Sequence, residues 1–180
     1  VLALPGIRPV LFVTFTYVLA HNILYTYIAP LLVPAGIAAD IDQVLLVFGL
    51  AALLGIWMVG VLIDQRLRAL LVISCGMFAL SALALAFWIT SAPVIYTTVA
   101  LWGLAFGGLP ALLQTALAKS AGDSADAAQS MLVTVWNLGI AGGGLLGGML
   151  LLVWGVTSFP WAVVALVLLA LMATFRLTDV

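Results

Sequence analysis

The chain has 180 residues and a net charge of −1, with 67% of its residues apolar and 6% charged, whereas an average soluble domain is about a quarter charged. That balance excludes a water-soluble core and gives no reason to expect a nucleic-acid partner. Backbone groups in hydrocarbon must pair internally, and the apolar runs far exceed the roughly ten residues of a barrel strand, so an all-α, polytopic membrane protein is expected.

At about twenty apolar residues per crossing, six transmembrane helices are expected, at roughly residues 9–33, 44–63, 67–90, 94–118, 129–153 and 160–175, forming one bundle over 1–180. Pro9, Pro93 and Pro160 fall where helices begin, a position that tolerates a missing N–H. The first span carries Thr14, Tyr17, His21 and Tyr25 at spacings of three and four, which confines them to one stripe, with Asn22 beside it. The second is purely apolar up to Asp64, and Arg66 and Arg68 follow it before the third. The third adds only Ser74, Cys75 and Ser81, which can bond within their own helix, so it and the apolar sixth are expected at the periphery. Pro110 removes a backbone hydrogen bond inside the fourth span and should kink it, close to Gln114. In the fifth, Gly139, Gly143 and Gly147 stand four apart, a spacing that lets backbones approach closely for static packing or for sliding.

Arg8, Arg66, Arg68, Lys119 and Arg176 all fall on one side of six alternating spans, which is therefore expected to be cytoplasmic and to hold both termini. Asp40 and Asp42 lie opposite, as does a loop flanked by Trp154 and Trp161. Cys75 has no second thiol to pair with, so no disulfide, metal site or cofactor is expected. The chain starts at Val1 and is expected to be a piece of a longer protein. The first and fourth spans each open a group of three, as in transporters built from two inverted three-helix repeats around a midplane site.

Three stretches resemble a known family: residues 20–30 (AHNILYTYIAP), residues 60–68 (GVLIDQRLR), and the run from Trp102 through Gln114 to the glycine-rich fifth span. Together they are similar to the C-terminal six-helix half of a major facilitator superfamily transporter, in the branch of drug:proton antiporters and sugar-efflux permeases related to arabinose exporters. The second stretch resembles the superfamily's cytoplasmic-loop signature, with Leu67 and Ala69 departing from it. The resemblance implies export of a small organic solute in a bacterial inner membrane, driven by a proton gradient, with an N-terminal six-helix half as partner. It also implies that the first and fourth spans line a cavity.

His21 lies at mid-span, where an ionisable group suggests function; its ordinary pKa of about 6.5 suits loading and release of a proton. It could equally be a neutral histidine that fixes packing. Tyr17, Asn22, Tyr25 and Gln114 offer directional hydrogen bonds to a substrate or between helices. Asp64, able to pair with Arg66 or Arg68, could hold one transporter state closed or be a solvated loop charge. An intramembrane protease would need a nucleophile beside His21, and no Gly-x-Ser-Gly segment supplies one; no channel filter signature is visible. The remaining alternative to a transporter is a six-helix module that packs with a second copy through its fifth span.

Overall fold

The structure, a computed structural model, describes Leu4 and residues 6–177. The two ends of the expected 1–180 bundle, residues 1–3, 5 and 178–180, lie outside the described residues, and so does the placement of the termini themselves.

Among the described residues all regular structure is helical: α1 (Ile7–Thr26), α2 (Ile28–Leu32), α3 (Ile41–Trp88), α4 (Ala92–Gly107), α5 (Leu109–Ala121), α6 (Ala125–Trp154) and α7 (Phe159–Thr174). Four continuous stretches, beginning at Ile7, Ala38, Ala92 and Val156, are long and apolar enough to cross a membrane. Two of them are too long for one crossing. A helix rises about 1.5 Å per residue, so the 48 residues of α3 would extend far beyond a hydrocarbon layer of about 30 Å.

Both long stretches fold back on themselves. In α3 the only non-helical backbone is at Arg66, with φ −137° and ψ 28°. Val59 from the arm before it and Ser74 from the arm after it line one cleft with Leu104 and Ala105, so the arms run side by side. The second reversal is the turn Gly122–Ser124, beyond which Gln129 donates from its side-chain amide to the carbonyl of Gln114 at 3.1 Å.

Two helices are also broken within the apolar region, each just before a proline. Pro30 has no N–H for the carbonyl of Thr26, and the chain leaves helical geometry at Tyr27, where α1 ends and α2 starts. Pro110 stands in the same relation to Phe106, and the break falls at Gly108, between α4 and α5.

The bundle is organised around α1, which packs on α6, α7 and α5 and is buried along most of its length. Its contact with α6 is the glycine face: a Cβ on Gly139 would meet Val18, one on Gly143 would meet the Leu19 carbonyl at 2.7 Å, and one on Gly147 would meet the Tyr27 ring at 2.6 Å. Tyr27 closes that seam by donating its hydroxyl to the carbonyl of Gly144 at 2.8 Å. The first arm of α3 approaches α4 in the same way through Gly55, Gly103 and Gly107.

The two spans expected at the periphery each bury one face. Residues 67–88 bury a full face (Leu71, Ser74, Cys75, Phe78, Ala82, Leu85), and α7 buries Val163, Val167 and Ala170. The first arm of α3 is barer than either, burying only Val44, Gly55 and Val59 among its described residues. Ser74 also reaches beyond its own helix: it donates to the Ala105 carbonyl at 2.8 Å and bonds the Tyr17 hydroxyl at 3.0 Å. Purely apolar residues carry no orientation signal, so the second span's place had no mark in its sequence.

Candidate functional site

The site is an aromatic cluster built on α1, α3, α4 and α6, with His21 at its centre. His21 is 7% exposed, and its ring lies flat on Phe106, with centroids 3.6 Å apart and planes 8° apart. Tyr25, one turn further on, stacks on the other side at 5.2 Å. Trp102 donates its indole N–H to Nδ1 of His21 at 3.1 Å, and Phe48 packs against Trp102 at 4.7 Å. From Phe106 the cluster continues to Trp136 on α6 at 6.2 Å. Trp136 then lines a cleft of about 220 Å³ with Pro110, Gln114, Leu132 and Val133.

Helical periodicity explains the assembly. His21 and Tyr25 are four apart on α1, and Trp102 and Phe106 are four apart on α4, so each pair stands on one face one turn apart. The close backbone contact at Gly103 and Gly107, on the neighbouring ridge of α4, brings Phe48 within reach of Trp102.

The sequence-derived residues fall into distinct places. Tyr25, 44% exposed, and Gln114 are on the bundle's open surface. Asn22 is buried: its amide donates to the Val18 carbonyl at 2.8 Å, and it sits against Gly143. Tyr17 is fully buried, with its hydroxyl on Ser74 and its ring against Phe78 at 5.0 Å. Tyr17→Phe should therefore lower stability by about 1 kcal/mol, the usual net value of one hydrogen bond, without changing substrate affinity. Thermal unfolding in detergent beside a binding isotherm checks both halves of that expectation. Asp64, Arg66 and Arg68 are exposed around the bend, where the Arg68 guanidinium donates to the Phe175 carbonyl at 3.2 Å and so ties α3 to the end of α7.

No family model matches the chain. It is 32% identical over 157 residues to the purine ribonucleoside efflux pump NepI of Escherichia coli O157:H7, an alignment that covers 86% of this chain and 39% of that protein. NepI of Shigella sonnei strain Ss046 and of Escherichia coli strain K12 / MC4100 / BW2952 are each 31% identical over the same extent. The likeness fits a half-length piece of a major facilitator superfamily protein. The chain spans about two fifths of the length of these superfamily relatives, which are pumps and not enzymes.

One further feature of the chain lies on α6. Ser130, Thr134 and Asn137 form an exposed polar stripe on α6, running past Trp136. The hydroxyls and the Asn137 amide N–H donate to carbonyls of their own helix, at 3.1, 2.9 and 2.8 Å. The spacing of four and three was present in the sequence but overshadowed by the glycine pattern that follows it.

Proposed function

We propose that the chain is the C-terminal half of a proton-coupled exporter of small organic solutes, working by alternating access against an N-terminal six-helix half. The observation that carries this reading is the aromatic wall from Tyr25 through Phe106 to Trp136, edged by Gln114 and Asn137. Flat rings beside a few directional amides suit a planar heteroaromatic solute, and the relatives' purine ribonucleosides are of that class. The cleft of about 220 Å³ is smaller than the roughly 300–1,000 Å³ of a complete small-molecule site, as one wall of a shared cavity should be.

Six crossings follow if α3 counts as two and α4 with α5 as one. The spans then form two groups of three, each opened by a helix broken before a proline, at Tyr27 and at Gly108. Discontinuous helices at corresponding positions flank the midplane site in inverted-repeat transporters. The bare first arm of α3 is the surface the N-terminal half would cover. The alternative, a second copy docking on the glycines of α6, loses support because Gly139, Gly143 and Gly147 already face α1. The segregation of the basic residues supports an orientation with both termini on the cytoplasmic side, in a bacterial inner membrane.

His21 is the proposed coupling residue. With Nδ1 accepting from Trp102, the proton of the neutral ring sits on Nε2. A second proton must go to Nδ1, which requires the indole to leave. Protonation and the α1–α4 hydrogen bond thus exclude one another, and this links proton loading to helix movement. Tyr25 is the titratable side chain in ring contact with His21.

Efflux by the complete transporter, measured in cells over a panel of nucleosides, sugars and cationic drugs, tests the substrate class. Trp136→Ala should raise the apparent KM for a purine nucleoside about tenfold, equivalent to roughly 1.4 kcal/mol of lost stacking. An unchanged KM, or transport confined to sugars, would reject the aromatic-wall reading.

A further inference from the structure

The fold gathers four of the chain's five basic residues around the C-terminal end of α7. On one side Arg66 and Arg68 flank Phe175 in an open groove. On the other, Arg8 from the first turn of α1 and Arg176 from beyond α7 border a trough of about 390 Å³, walled by Pro9, Phe12, Leu169 and Met172. Phe12, Leu169 and Met172 are all exposed.

We propose that the trough is a binding site for an anionic phospholipid of the surrounding bilayer, with its phosphate between Arg8 and Arg176 and one acyl chain along Phe12, Leu169 and Met172. The apolar walls accept any acyl chain, so they supply reach and no selectivity. Selectivity resides in the two guanidiniums, whose planar forks of five donors each match phosphate oxygens and can serve more than one partner at once. Basic pockets between transmembrane helices at the charged end of a bundle are suited to such headgroups. The two arginines are far apart in sequence, and only the packing of α7 on α1 joins them, so a lipid held there would staple the first helix of the chain to the last.

The test is lipid retention by the purified complete transporter in detergent, read by native mass spectrometry with phosphatidylglycerol and phosphatidylcholine of identical acyl chains. Phosphatidylglycerol should be retained at least fivefold more strongly. The preference should fall below twofold in R8Q/R176Q and survive in Lys119→Gln, which removes a basic residue on α5. Met172→Trp fills the trough and leaves both guanidiniums in place, and it should also lose the phosphatidylglycerol; this keeps the test decisive if the double variant misfolds. Excess glycerol phosphate should not displace the lipid. Equal retention of the two lipids, a preference that persists in R8Q/R176Q or Met172→Trp, or displacement by glycerol phosphate would each overturn the proposal.

Discussion

His21→Ala is expected to abolish proton-driven efflux and to destabilise the bundle by about 2–4 kcal/mol. The stability loss has two sources. Trp102, 1% exposed, would be left with an indole N–H and no acceptor, and the face of Phe106 would border a void. The transport loss must therefore be separated from damage to the fold, and His21→Asn does so. An asparagine amide oxygen can take the place of Nδ1 as acceptor for Trp102, but the amide does not titrate in the physiological range. The asparagine variant should recover much of the stability while moving solute only down its own gradient, with no response to an imposed pH difference. Efflux with the wild-type pH dependence in His21→Asn would end the proton-coupling role and leave His21 as a packing residue.

Gly107→Ala should cost about 1–3 kcal/mol, because the added methyl would collide with the backbone of Ala52, and backbone moves only if two helices part. Gly49→Ala, in the same helix pair, should go the other way by about 0.4–1 kcal/mol. Nothing lies within 4 Å of its Cβ position, and alanine lowers the entropy of the unfolded chain. Thermal unfolding of the two variants in one detergent compares them directly. Similar melting temperatures for both would mean that the seam between α3 and α4 yields more readily than its geometry implies.

The helical, membrane-crossing character of the chain was legible in its composition, and the prolines at 93 and 160 mark true helix starts. The polar stripe of the first span was legible as a stripe, but its destination was not. A polar group in hydrocarbon must face either protein or a watery cavity, and spacing alone does not say which. Tyr17, His21 and Asn22 turned into the bundle, and Tyr25 turned out of it. The reversal at Arg66 was expected from charge, yet one residue suffices for it. Trp102 and Phe106 gained their importance from the partners that packing brings to them, and no sequence spacing relates residue 21 to residue 106. The stripe on α6 was readable, and it became meaningful only once α6 was seen to lie beside Gln114.

The central position of α1 also bears on how the protein is made. This helix is the least apolar of the four crossing-length stretches and the most enclosed, so lipid alone is a poor environment for its Thr14, Tyr17 and His21. It leaves the ribosome first of the seven, whereas the glycine face that covers it lies more than a hundred residues downstream. At about 5–20 residues per second, α1 waits on the order of ten seconds for α6. During that interval α1 lacks the face that covers it in the folded chain, and slowed elongation between α1 and α6 would lengthen that exposure.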